Sequence, residues 1–112
     1  MSRRWLCPQS ALDATRAKGL TIDFDGHPTD IFLVRDRDGS VHGYIDRCPH
    51  AGSPLAWRVD EYLDEDGEHI ICGTHAALFR VHDGACRGGP CRRQGLTKLR
   101  LEIDDDGIHL TD

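Results

Sequence analysis

The sequence predicts an all-β domain, built as an antiparallel sandwich or small barrel. Five Asp-Gly pairs divide the 112-residue chain, and this dipeptide favours the positive backbone dihedrals that tight hairpin turns require. Within one run Leu99, Leu101 and Ile103 alternate with charged residues, the period-two pattern of a strand with one buried face. The five pairs are Asp25-Gly26, Asp38-Gly39, Asp66-Gly67, Asp83-Gly84 and Asp106-Gly107.

Short apolar or alternating runs between these pairs are the predicted strands. Each has the length typical of strands in small antiparallel sheets, and a turn signal separates most neighbouring runs. The predicted strands are Leu20 to Phe24, Ile31 to Val34, Val41 to Ile45, His69 to Ile71, Leu78 to Val81, Leu99 to Ile103 and Ile108 to Leu110.

One segment near the amino terminus is predicted to be helical. Ser10 precedes the run Ala11 to Lys18, and Asp13 stands three positions after Ser10, as in a capping box. Gly19 can end the helix. We therefore expect one short N-terminal helix of about two turns.

Length and composition narrow the classes of function. Residues 1–112 are enough for one domain with one modest core, so we expect a single domain. Charged residues make up 29% of the chain, and no stretch is apolar enough to span a membrane. The net charge is -5, from 14 basic and 19 acidic residues, which disfavours a nucleic-acid partner. Because no apolar run follows Arg3 and Arg4, we expect a cytoplasmic protein.

Two short segments concentrate cysteine and histidine: Cys48-Pro49-His50 and Cys72-Gly73-Thr74-His75. Each follows a predicted strand, so two strand-end loops can converge and present one thiolate and one imidazole apiece. A Cys2His2 set fits either a structural zinc or an asymmetric iron-sulfur cluster. The spacing favours the iron-sulfur cluster, since zinc sites usually pair Cys with Cys and His with His.

These loops resemble the cluster-binding loops of the Rieske family, whose pattern is Cys-x-His followed by Cys-x-x-His. The resemblance extends over Leu78 to Gly84 and Gly88-Gly89-Pro90, and it covers roughly Ile31 to Leu110. It implies a Rieske-like fold and one [2Fe-2S] cluster per chain. By the same resemblance Cys48 and Cys72 would ligate the inner iron, and His50 and His75 the outer, electron-accepting iron.

Departures from the respiratory members of the family predict a low potential. Those members join their loops by a disulfide, and the corresponding positions here hold Ser53 and Thr74. They also place hydroxyl donors to sulfur where this chain has Ala77 and Phe79. Without such donors the reduced cluster loses stabilisation, so the potential should lie toward the low end of the Rieske range of about -150 to +300 mV.

The interval between the two loops is longer than is usual in the family. It holds 21 residues between His50 and Cys72, including an acidic run from Asp60 to Glu68. We interpret this run as a solvated loop extension that leaves the ligands unaffected. Two changes inside the second loop, Gly73 and Ala76, replace the family's usual proline and glycine.

The remaining cysteines and histidines are not expected to bind the metal. Cys86 and Cys91 are close enough in sequence to bridge, but a cytoplasmic setting favours free thiols. Cys7 is expected to be a small buried hydrophobe. The other histidines are expected to be polar surface or strand residues: His27, His42, His69, His82 and His109.

The function implied by the resemblance is that of a ferredoxin, a one-electron carrier rather than an enzyme, since no nucleophile with a neighbouring base is present. Its partners would be a flavoprotein reductase and a terminal oxygenase. The same superfamily includes the small subunit of assimilatory nitrite reductase, which is an alternative. From other classes, a zinc-stabilised binding module and a redox sensor using Cys86 and Cys91 remain open.

Overall fold

The computed structural model describes residues 3–24, 26–47, 55, 60–64, 67–72, 77–88 and 95–111. This part of the chain forms ten strands and one 3-10 helix, Gln9–Leu12. The strands are β1 (Arg3–Cys7), β2 (Ala17–Phe24), β3 (His27–Arg35), β4 (Val41–Ile45), β5 (His69–Ile71), β6 (Leu78–Arg80), β7 (Cys86–Gly88), β8 (Lys98–Leu99), β9 (Leu101–Asp104) and β10 (Gly107–Thr111).

The strands pair antiparallel in three sheets, which confirms the all-β class. The central sheet has the order β2-β3-β4-β8. One flanking sheet has the order β1-β10-β9, and the other has the order β5-β6-β7. The described strands form open sheets and no closed barrel. None of the helices in the described ranges is long and apolar enough to cross a membrane.

Turn chemistry follows the expectation from the Asp-Gly pairs. In the hairpin between β2 and β3, Phe24 pairs with His27 and Gly26 has a φ of 86°. The glycines of the other four pairs also have positive φ, from 69° at Gly67 to 133° at Gly107. A residue with a Cβ rarely adopts such dihedrals, so these glycines fix where the chain reverses.

The N-terminal helix is shorter than predicted, and its predicted bounds and cap are wrong. Only the four residues Gln9–Leu12 are helical, in a 3-10 helix whose N-cap is Pro8 and not Ser10, with no side-chain cap. Arg16 has a φ of 61° and turns the chain, so that Ala17 enters β2 and pairs with Val34. A segment of this length has little helical stability of its own, and pairing with β3 decides its conformation.

Two strands were not predicted from the sequence, and one predicted strand is divided. β1 pairs with β10 and β7 pairs with β6. The run Leu99 to Ile103 is interrupted at Arg100, so that β8 joins β4 while β9 joins β10. This short crossing connects the central sheet to one flanking sheet.

Both faces of the central sheet are covered, because β3 carries an unbroken apolar run from Ile31 to Val34 whose members are all fully buried. Phe32 and Val34 face one buried group and Leu33 faces another. We call the first group the site core: Ala17, Phe32, Val34, Tyr44, Leu55, Tyr62, Ile70, Cys72, Ala77, Phe79, Val81 and Leu96. The second, the rear core, includes Cys7, which is 5% exposed, as expected for a small buried hydrophobe.

The acidic run from Asp60 to Glu68 is more than a solvated loop, which corrects our interpretation. A carboxylate oxygen of Asp60 accepts the Gly19 amide at 2.8 Å. Asp64 accepts the Glu68 amide at 3.0 Å, and a bridge between Leu63 and Ile70 aligns the segment with β5. Its described carboxylates therefore build local structure beside the second Cys-His loop.

Candidate metal centre

Of the four predicted ligands, only Cys72 belongs to the described part of the chain. Cys48, His50 and His75 lie outside the described residues. Among the residues that are described, no three His, Cys, Asp or Glu side chains are grouped closely enough to hold a metal ion. The described residues at which each loop begins and ends define the base of the site.

The second Cys-His loop begins at the end of β5, where Cys72 is fully buried. The amide of Cys72 donates a hydrogen bond to the carbonyl of Ala77 at 2.9 Å. Because Ile71 also pairs with Leu78, the β5-β6 ladder holds both ends of residues 73–76.

The first Cys-His loop is held in a comparable way at the end of β4. The amide of Ile45 donates to the carbonyl of Thr97 at 3.0 Å, and the amide of Asp46 donates to the carbonyl of Asp30 at 2.9 Å. The Asp46 side chain then accepts the Leu55 amide at 2.9 Å. This bond joins the two ends of residues 47–54, the interval that contains Cys48 and His50.

The first loop ends in the site core, and the second loop begins and ends there. Leu55, at the end of the first loop, is fully buried there together with Cys72 and Ala77 from the second loop. Their shared burial supports the expectation that the loops converge. A cysteine without solvent exposure suits an inner metal ligand, and a set of two thiolates with two imidazoles fits an asymmetric iron-sulfur cluster.

Sequence reasoning missed Asp46 and Tyr62, which support the first loop. The Tyr62 hydroxyl donates to the second carboxylate oxygen of Asp46 at 2.8 Å, and its ring stacks on Phe32 with centroids 4.3 Å apart. Burial, and then the neighbouring Asp46 carboxylate, raise the pKa of Tyr62 well above its usual value, so the phenol remains a proton donor. An aspartate directly after a strand and two positions before Cys48 was the available signal.

Cys86 is disulfide-bonded, which corrects the expectation of a free thiol at this position. Its partner lies outside the described residues. Cys86 sits at the start of β7, opposite Phe79 of β6, and packs against the site core. The preference for free thiols rested on the cellular compartment alone, whereas pairing within one chain depends on the local geometry.

Two histidines outside the motif, His42 and His109, have local polar partners. His109 is 6% exposed, and its Nε2 lies 3.0 Å from an Asp104 oxygen and 2.8 Å from an Arg3 nitrogen. His42 contacts Asp36 at 2.9 Å. Both are polar residues on strands, as expected.

The Arg80 side chain belongs to the turn that follows β6. Arg80 pairs with His69 at the end of the β5-β6 ladder opposite Cys72. Its guanidinium Nε donates to Asp83 at 3.0 Å, so it belongs to the following turn.

Together these features define an antiparallel β domain in which the described ends of the two mixed Cys-His segments, Leu55, Cys72 and Ala77, share one buried core. Two thiolates with two imidazoles are a ligand set suited to an iron-sulfur cluster. The family model of the Rieske [2Fe-2S] domain matches residues 3–102, and the chain belongs to this family. Membership implies one [2Fe-2S] cluster as the cofactor.

Comparison with solved structures supports the same fold. The ferredoxin of carbazole 1,9a-dioxygenase from Nocardioides aromaticivorans IC177 superposes with a TM-score of 0.74 at 23% identity, covering 99% of this chain and 98% of that chain. A chain in a complex of reduced oxygenase and oxidized ferredoxin of carbazole 1,9a-dioxygenase superposes with a TM-score of 0.73 at 18% sequence identity, covering 97% of this chain and 92% of that chain. A protein assigned as an NADPH nitrite reductase small subunit superposes with a TM-score of 0.70 at 18% sequence identity, covering 100% of both chains. Comparison with curated protein sequences gives no match.

Proposed function

We propose that this protein is a ferredoxin that carries one electron at a time from a flavoprotein reductase to a terminal oxygenase. The observation that carries the proposal is the fully buried Cys72, placed in one core with the end of the first Cys-His loop. The match with the carbazole dioxygenase ferredoxin extends almost end to end in both chains, which supports a carrier role over a catalytic one.

Four side chains would hold the cofactor in this proposal. Cys48 and Cys72 would ligate the inner iron, and His50 and His75 would ligate the outer iron. The imidazole edges of the two histidines would give the electron its exit. The bound group supplies reversible one-electron chemistry. The chain's own contribution is to hold two loops at a fixed separation and to keep water from the buried Cys72.

The proposed setting is a single domain over residues 1–112 in the cytoplasm, where a reductase and an oxygenase would be its partners. A carrier of this kind releases each partner after transfer, so its docking contacts should be weak and sensitive to salt. The negative net charge of -5 favours basic docking surfaces on those partners.

A second candidate is a subunit of a nitrite-reductase-like complex. One observation favours it, the full-length similarity to a protein assigned as the small subunit of such an enzyme. A subunit would remain bound to its catalytic partner, whereas a shuttle would dissociate. Gel filtration of the protein with each purified partner separates these alternatives.

The direct test is the metal content of protein purified without oxygen stress. We expect a red-brown protein with about two iron and two inorganic sulfide per chain and a reduced-state paramagnetic signal typical of histidine ligation. It should also accept electrons from a flavoprotein reductase and transfer them to an oxygenase. A colourless protein holding one zinc would refute the proposal and favour the binding module.

A further inference from the structure

The Asp46 carboxylate uses both of its oxygens at the base of the first Cys-His loop. One accepts the Leu55 amide at 2.9 Å, and the other accepts the Tyr62 hydroxyl at 2.8 Å. The first bond joins the ends of residues 47–54. The second ties this closed loop to a residue that belongs to neither Cys-His motif.

Tyr62 in turn contacts the strand that leads into the second loop. Its carbonyl accepts the amide of Ile71 at 2.9 Å, and Ile71 directly precedes Cys72. A continuous hydrogen-bonded path therefore runs from Leu55 through Asp46 and Tyr62 to the base of the second loop. The path connects the two loops without passing through any metal ligand.

The position of the Tyr62 side chain is fixed from two sides. Tyr62 is 4% exposed, and its ring stacks on Phe32 with an interplanar angle of 6°. On the other side lies Gly19, where an added Cβ would stand 2.5 Å from the Tyr62 hydroxyl oxygen. The hydroxyl has little freedom to move away, so the bond to Asp46 has a defined direction and length.

We propose that Asp46 and Tyr62 are positioning residues that fix the first Cys-His loop relative to the second. Through this bond they set how firmly, and in which geometry, the two loops hold their cofactor. The inference rests on the proposed function, since it assumes that both loops bind one cluster. Its physical basis is that hydrogen bonds to a charged acceptor are among the strongest, and these two constrain the ends of one loop.

Three substitutions separate the two bonds in the cluster-containing protein. Asp46→Ala removes both bonds, whereas Tyr62→Phe removes one and keeps the stacked ring. Asp46→Asn keeps an oxygen acceptor for the Leu55 amide, and its amide group can donate to the phenol oxygen. We expect the loss of cluster absorbance in the presence of an iron chelator to accelerate about tenfold or more in Asp46→Ala, because both hydrogen bonds to the charged group are lost. Tyr62→Phe should lie between it and the wild type, and Asp46→Asn should largely restore retention.

The matched control is Tyr44→Phe. Tyr44 is also a buried phenol of the site core, but its hydroxyl donates to the Val81 carbonyl, after β6, and not to a residue at either loop end. Loss of the Tyr44 hydroxyl should lower the melting temperature about as much as Tyr62→Phe does. The rate of cluster release should stay within about twofold of the wild-type rate.

Two further measurements distinguish positioning from general stability. The reduced-state paramagnetic spectrum should broaden or shift in Asp46→Ala and Tyr62→Phe but not in Tyr44→Phe. Hydrogen exchange should show the Leu55 amide losing protection in Asp46→Ala and keeping it in Asp46→Asn. If the wild type holds its cluster and all variants release it at the rate of Tyr44→Phe with unchanged spectra, the positioning role is refuted. A wild type without any cluster would instead overturn the proposed function together with this inference.

Discussion

The amide of Cys72 donates a hydrogen bond to the carbonyl of Ala77 across the base of the second Cys-His loop, at 2.9 Å. Both residues are fully buried, and Phe79, two positions further along, belongs to the same core. The surroundings of the Cys72 thiol are therefore apolar at the positions where respiratory Rieske proteins carry hydroxyl groups. Substitutions at Ala77 and Phe79 act directly on those surroundings.

Restoring hydroxyl donors at these positions should raise the reduction potential. A hydrogen bond to sulfur stabilises the reduced state more than the oxidised state, because reduction adds negative charge. If each bond favours the reduced state by about 1 to 3 kcal/mol, the one-electron potential rises by about 40 to 130 mV per donor. We expect Ala77→Ser and Phe79→Tyr each to shift the potential upward in protein-film voltammetry at fixed pH, and the double variant to shift it further.

Both positions are fully buried, so each variant must first be shown to retain its cluster by its visible spectrum. An added hydroxyl at Phe79 needs space in a packed core, and overpacking there costs about 1 to 3 kcal/mol. Intact clusters with unchanged potentials in both variants would mean that solvent exposure or backbone donors control the potential instead.

The assignment of the histidine ligands is tested by comparing motif with non-motif histidines. His50→Ala and His75→Ala should lose the cluster, and with it much of the fold, because metal binding and folding are coupled in small domains. His42→Ala and His109→Ala should keep it. His109 is the more demanding control, since its burial beside Asp104 and Arg3 means that its loss lowers stability without removing a ligand.

Iron content and visible absorbance of the four purified variants measure this outcome, and the melting temperature reports the fold separately. Cluster loss in His42→Ala equal to that in His75→Ala would show that the ligand assignment is wrong. A colourless His109→Ala protein that remains folded would show the same for His109.

The local parts of the fold were the predictable parts. Each Asp-Gly turn could be predicted because it depends only on the positive φ of its own glycine. The strands β4 and β5 have the predicted bounds because their apolar runs are short and bounded by turn signals. The helix prediction at Ser10 failed because Ala17 and Lys18 pair with Val34 and Leu33 in β3, a non-local interaction that overrides a weak local preference.

The candidate site also has a part that depends on local sequence and a part that depends on contacts between residues distant in sequence. The assignment of its four ligands stays a prediction, but it was accessible from the sequence because mixed Cys-His spacing has few alternative explanations. The bond between Asp46 and Tyr62 was not, because it joins residues 16 positions apart across the first loop and neither residue type is specific to a metal site. Likewise β1 was missed, since only pairing with β10, at the other end of the sequence, makes Arg3–Cys7 a strand.

The turn between β3 and β4 should make stability depend on pH. Partial burial raises the pKa of Asp36, but hydrogen bonds from His42 and from the Ser40 and Asp38 amides outweigh it, so the folded-state pKa lies below the ordinary value. A lowered folded pKa means that this stabilisation is complete above the unfolded pKa of about 3.9 and is lost as the pH falls through the folded value.

We expect Asp36→Asn to lower stability by about 1 kcal/mol near neutral pH, equivalent to several degrees in melting temperature, and by progressively less below about pH 4. Melting followed by circular dichroism from pH 3 to 7 gives both curves, with visible absorbance reporting the cluster separately. A difference that is constant over this range would exclude ionised Asp36 as its source.

The disulfide at Cys86 predicts a specific pattern of thiol reactivity. Cys91 is the expected partner, because only four residues separate it from Cys86 and because Cys48 is needed as a ligand. Protein denatured with a chelator and without reductant should leave Cys86 and Cys91 unalkylated, while Cys7, Cys48 and Cys72 react. Peptide mass spectrometry should recover the linked pair, and adding reductant should make both thiols reactive.

In the control variant Cys86→Ser, a free thiol should newly appear at Cys91. The cluster should be retained, since neither residue is a proposed ligand. Appearance of the new thiol at Cys48 would instead place the disulfide on a proposed ligand and contradict the pairing, and alkylation of Cys86 in unreduced wild-type protein would show that the bond does not form.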